Sequence, residues 1–152
     1  MTSKTDEKTV LLKGSPLRKE LAMTASEAVL PGHLVERVAA GTLSKHSTAA
    51  SVAAKSFALE NESDGSGIDN AYGDGENVIF VTCASGDEVS AILADSNTIV
   101  IGDFLESNGD GTLKKVATDA ATDDTQRESV VGIALEAVTT SGSTARLKIE
   151  VM

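Results

Sequence analysis

The chain has 152 residues, which suits one compact domain or two very small ones. Its formal net charge of −10 disfavours a phosphate-binding surface, and a single cysteine, Cys83, excludes an internal disulfide. No apolar run approaches the roughly 20 residues that cross a bilayer, and residues 1–8 lack the apolar stretch of a secretory signal, so neither membrane nor export is expected.

The charge is unevenly placed. Residues 1–56 carry eight Lys/Arg and five Asp/Glu, and residues 57–112 carry twelve acids and no Lys or Arg. Nucleic acid is therefore not an expected partner for the central segment. With three Phe, one Tyr and no Trp, the core must be built from Val, Ile, Leu and Ala, and a core of that kind favours support from neighbouring subunits.

In chain order, residues 1–18 read as an extended N-terminal arm, polar and basic around Val10-Leu11-Leu12. Within it a short strand is expected over 9–13. Residues 18–28 admit a helix, because Leu21, Ala22, Ala25 and Ala28 fall on one helical face. Leu34 to Val38, a glycine turn at Gly41 and a stretch headed by Thr42-Leu43 make a hairpin. Further strands are expected over 56–61, 77–83, 88–93, 98–101 and 130–136. The last strand alternates plainly, with Ala145, Leu147, Ile149 and Val151 on one face and Arg146, Lys148 and Glu150 on the other. An acidic, glycine-rich insertion occupies residues 62–76.

The chain repeats itself at an offset of 70. Residues 30–50 lie over 100–120 with eight identities in 21 positions, and Phe57-Ala58-Leu59-Glu60 lies over Ile133-Ala134-Leu135-Glu136 after a six-residue insertion. The reading is a mainly β fold, a barrel or sandwich of two similar β-units, 19–83 and 84–152, in a single β-domain of 19–152 behind the arm.

Three groups of residues mimic chemical sites. Residues 106–112 resemble part of a calcium loop, but position 12 is Ala117 where a bidentate Glu belongs. Asp64, Asp69, Asp74 and Glu76 space carboxylates along the insertion in no familiar ligand pattern. His33 and His46 are the only histidines, and neither Cys nor His spacing builds a zinc site around them. Cys83, inside an apolar run, reads as a buried small hydrophobe. Nothing nominates a catalytic, metal or cofactor site, and no enzyme is expected.

Three pieces in order carry a resemblance. They are Ile101-Gly102-Asp103-Phe104-Leu105-Glu106 with Gly109-Asp110-Gly111-Thr112-Leu113-Lys114-Lys115, then Val131-Gly132-Ile133-Ala134-Leu135-Glu136-Ala137 with the closing strand, and Ser85-Gly86-Asp87-Glu88-Val89. Together they resemble the small capsid decoration, or cement, proteins of tailed bacteriophages. The resemblance implies a β-barrel-like fold, a homotrimer on the outer face of the head, the major capsid protein as partner, and stabilisation of the shell against packaged DNA. On this reading the arm contacts the capsid through Lys8, Val10, Leu11, Leu12, Lys13 and Arg18, its apolar centre adding a strand to a neighbour's sheet. The competing expectation for the arm is an ordinary first strand of the domain or a plain tail. The competing function is a virion-displayed or secreted β-domain that binds host surface or carbohydrate through residues 62–76.

Overall fold

The computed structural model describes residues 8–117 and 128–152; residues 1–7 of the expected arm, Lys4 among them, lie outside the described residues. Among the described residues thirteen strands follow in order: β1 (Leu11–Lys13), β2 (Arg18–Ala25), β3 (Leu34–Ala39), β4 (Thr42–Lys45), β5 (Ser56–Ala58), β6 (Asn77–Thr82), β7 (Glu88–Leu93), β8 (Thr98–Ile99), β9 (Phe104–Ser107), β10 (Leu113–Lys115), β11 (Val130–Ala134), β12 (Val138–Thr139) and β13 (Ala145–Val151). Among the described residues no helix is long and apolar enough to cross a membrane.

Each repeat closes into its own five-stranded barrel. The first runs β2-β4-β3-β5-β6, with β6 returning to β2. The second runs β7-β10-β9-β11-β13, with β13 returning to β7. The pairings correspond throughout. In both barrels the first strand runs parallel to the third (β2 with β4, β7 with β10), and the remaining pairs are antiparallel. The fold is thus mainly β with two similar units, each a complete barrel rather than half of a shared one.

Alternation explains where the side chains go. On β13, Leu147 and Ile149 are buried in the second barrel opposite Ala91 and Val89 of β7, and Val151 is buried opposite Gly132 of β11. β6 has no polar face because both its faces are covered. Val78 and Phe80 fill the first barrel with Met23, Val35 and Leu43, while Ile79 and Val81 join Leu34 and Phe57 in a core continuous with the second barrel. The outer faces of β3, β5 and β6 therefore carry the junction between the barrels.

Two expectations are corrected. Residues 18–25 form β2, not a helix. Pairing with β6 from Arg18↔Thr82 to Thr24↔Asn77 and beside β4 at Ala25↔Leu43 outweighs the helical preference of Glu, Leu, Ala and Met. The register of β2 breaks between Glu20 and Met23, which also erases a clean period-two pattern. The arm is likewise part of the fold from Val10 onward. Val10 is fully buried, its N–H donates to Glu60 Oε2 at 3.0 Å, its carbonyl accepts from Ser90 N at 2.7 Å, and β1 pairs antiparallel with β7. β10 pairs with β7 only at Leu93, so the first residues of β7 are open on that side, and an apolar triplet in the same chain is captured there first because its local concentration is high.

Candidate functional site

Of the residues that mimic chemistry in the sequence, the calcium-loop mimic and the two histidines gather at the seam between barrels. The glycine turn between β9 and β10 seats on the first barrel. Gly111 accepts from Leu34 N at 2.8 Å and donates to His46 O at 3.2 Å, while Ala50 N donates to Ser107 O at 2.9 Å. Gly111 has φ +83°, and a Cβ there would lie 3.0 Å from Lys45 Cβ and 3.1 Å from His33 Cγ, so any other residue is strained in its backbone and presses on both side chains. The oxygens of the calcium-loop mimic hold the turn itself: Asp110 accepts from both the amide and the hydroxyl of Thr112. Among the described residues no three His, Cys, Asp or Glu gather closely enough to hold a metal ion.

Both histidines serve this seam. His46 is buried, with Nε2 3.2 Å from Val52 O and Nδ1 2.7 Å from Ser107 Oγ. A carbonyl only accepts, so Nε2 carries the proton and Nδ1 accepts from the Ser107 hydroxyl, which in turn accepts from Gly109 N at 3.1 Å. His33 Nδ1 accepts from Leu30 N at 3.0 Å. Asp103 does the same in the second barrel, where its Oδ2 accepts from Val100 N at 2.9 Å. Burial, then the nearby Lys45 and Arg146 charges, push His33 down to about 4 against a partial pull from Asp110.

The sign of the resulting pH dependence follows. Above pH 6.5 His33 is neutral whether the chain is folded or not. As pH falls from 6.5 toward 4 the unfolded chain takes up a proton that the folded chain refuses, so stability drops, by about 2–3 kcal/mol from this group. His33→Asn keeps an acceptor for Leu30 N and removes the titration. Urea unfolding from pH 7 to 4.5 is expected to show a flatter stability curve for the variant. Asp110 is held low by hydrogen bonds from Thr112 and Asn108 that outweigh its partial burial, and its loss falls below that window.

Arg146 is a functional contact that alternation alone hides, since it sits on the charged face of β13. Its guanidinium crosses the seam, donating to Pro31 O at 2.9 Å and Ile68 O at 2.7 Å, with Asp69 Oδ1 at 3.5 Å. It walls a cleft of about 460 Å³ between the barrels with Leu30, Ile68, Ser90, Ile92 and Val138. The insertion of residues 62–76 is tied down by this contact and by buried Tyr72, which donates to Leu59 O at 2.7 Å and bridges to Val29. Its carboxylates hold turns, Asp64 accepting from Ser66 N and Glu76 from Gly73 N, while Asp74 is exposed. Burial, reinforced by Asp87, pushes the Cys83 thiol up to about 12, so it stays a neutral core group.

The expected capsid-contact residues divide. Val10 is sealed in the core, and Leu11 and Leu12 are half-buried. Lys8, Lys13 and Arg18 are exposed, Lys13 3.4 Å from Glu88 and Arg18 3.2 Å from Glu20. A second exposed feature lies at the start of β9. Val100, Ile101 and Phe104 are 53%, 71% and 48% exposed, an apolar patch on an otherwise acidic chain.

In sequence nothing matches, either among protein-family models or among curated proteins. In structure the chain is similar to the N base of the head fiber gp8.5 of bacteriophage phi29, with a TM-score of 0.56 and 12% identity over 89% of this chain and 93% of that one. The two share their fold over nearly their full lengths.

Proposed function

We propose that this protein is a non-catalytic structural component of a bacteriophage virion, a decoration protein that binds the outer surface of the head as a homotrimer and stabilises the shell against the pressure of packaged DNA. The observation that carries the proposal is the double-barrel fold shared with the phi29 head fiber base. The seam supports it. His33, His46, Ser107 and the glycine turn are used to join barrels rather than to present a reactive group to solvent. A net charge of −10 suits a surface that faces solvent and not the genome. The partner is the major capsid protein. Binding the closed lattice and not its disrupted form stabilises that lattice by mass action, and many copies sum weak contacts through avidity.

The capsid contact is assigned to the exposed cations Lys8, Lys13 and Arg18, which the folded arm presents near one another in sequence while Val10 anchors it. Their ion pairs are at the surface, so replacing them costs the fold little. The triple variant Lys8→Glu, Lys13→Glu, Arg18→Glu is expected to co-sediment with undecorated heads at least about tenfold more weakly, with its unfolding midpoint changed little. Binding equal to that of the natural protein would place the contact elsewhere.

A further inference from the structure

The seam has two halves, and each half has a counterpart in the other barrel that is left open. On the first barrel the receiving surface is the outer face at the start of β3. Leu34 is fully buried there, paired with Phe57, and a Cβ on Gly32 would meet Ser90 O and Ile92 of the second barrel. On the second barrel the same surface, shifted by 70 residues, is Val100, Ile101, Gly102 and Phe104, with Phe104 paired to Ile133. Leu34 and Phe104 occupy one structural position, as do the interior residues Val35 and Leu105 that follow them. One is covered and the other is 48% exposed.

The inserting half behaves the same way. On the second barrel the β9–β10 turn docks through Gly111, which has φ +83° and is hemmed by Lys45 and His33. Its counterpart is the β3–β4 turn of the first barrel, where Gly41 has φ +74° and nothing within 4 Å of a Cβ position. Beside it Val38 is 53% exposed, and Ala39 and Ala40 are exposed. Both turns carry a glycine of positive φ before the Thr-Leu stretch, though Gly109 (φ +89°) is matched by Ala39, which is still within β3, and only the β9–β10 turn has a seat.

We propose that copies of this protein join head to tail, the β3–β4 turn of one copy seating on the Val100–Ile101–Phe104 patch of the next, as the β9–β10 turn seats on the first barrel within the chain. The contact is heterologous, so it closes only as a ring. It gives a surface to the trimer of the preceding section but does not depend on binding to a head. The outer face of β13 beside the patch carries Lys148 and Glu150 where β6 carries Ile79 and Val81. The contact between copies is therefore smaller and more polar than the seam, as suits an assembly that forms after each chain has folded.

The full-length chain, without heads, is to be measured by native mass spectrometry and light scattering. The natural protein is expected to show three chain masses. Ile101→Ser with Phe104→Ser blocks the receiving patch, and Val38→Asp blocks the turn. Each variant is expected to weaken association at least about tenfold while keeping its circular dichroism and unfolding midpoint, because the replaced side chains face solvent in the single chain. Mixing the two variants should restore one good contact and give a dimer that grows no further, a result that only a two-sided contact produces. A monomeric natural protein would overturn the proposal. A trimer indifferent to both variants would overturn it equally, by placing the contact elsewhere. Head binding measured in parallel is a separate readout: trimers that bind no head leave this contact standing and reject the decoration role.

Discussion

Leu34→Ala is expected to destabilise the chain by about 3 kcal/mol, while Phe104→Ala, its counterpart in the second barrel, changes the stability of the separated chain by no more than about 0.5 kcal/mol. Leu34 is wholly enclosed, paired with Phe57 on β5 and packed in the core that runs from the first barrel into the second. Removing three of its carbons leaves a cavity whose walls are strands already fixed by both barrels, so collapse is limited. Phe104 holds the same place in the ladder but faces outward. Urea unfolding at concentrations where copies are apart measures both. Equal losses would mean that the two faces are equally covered, contrary to the asymmetry on which the junction and the proposed contact between copies both depend.

The second large effect is at a matched pair of glycines. Gly32 has φ +98° and Gly102 has φ +92°, so alanine meets similar backbone strain at each, about 1–2 kcal/mol. Only Gly32 adds a clash. A Cβ there would lie 2.9 Å from the Ser90 carbonyl and 2.7 Å from Arg146 Nη1, and Gly102 has nothing within 4 Å. The carbonyl belongs to β7 and cannot swing aside, and moving Arg146 gives up its bonds to Pro31 and Ile68. Gly32→Ala is therefore expected to cost about 2 kcal/mol more than Gly102→Ala. Thermal unfolding of the two variants side by side reads the difference, with strain cancelling between them. A smaller loss at Gly32 would show that the seam gives way easily.

The pairing of these positions was legible in the residues, because the repeat aligns Gly32 with Gly102 and Leu34 with Phe104 without a gap. The strands β7 and β13 were legible to the residue, one as a short apolar run bounded by turns and the other by strict alternation. β2 was not. Its alanines and leucine satisfy a helical stripe as well as a strand, and what decides between them is β6, more than 50 residues away. Arg146 was hidden for a related reason. A charged residue on an alternating strand reads as solvent-facing, and only the position of Pro31 and Ile68 turns that face into a seam. The arm shows the limit from the other side. Val10-Leu11-Leu12 is written as strand material, but composition does not say whose sheet it joins, and the edge of β7 claims it.

The residues singled out as mimics of chemistry were good markers of structure. His33 and His46 draw notice in the sequence as the only histidines and the turn around Gly111 for its dense glycine; from sequence both histidines are expected at the surface or in turns, and His46 is buried instead. They are present because two barrels approach closely enough to need hydrogen bonds between backbones. One arrangement of residues thus serves as a joint, and its unfilled copies serve as candidates for the next joint.

The most direct test of the proposed role is the protein composition and cryo-electron microscopy of any phage particles that the genome encoding this chain produces, with and without the gene. The account predicts the chain in intact particles, seen as three-fold density on the outside of the head and missing when the gene is removed, with the depleted heads rupturing at lower temperature. Particles that never contain the chain, or density confined to the interior or the tail, would contradict it.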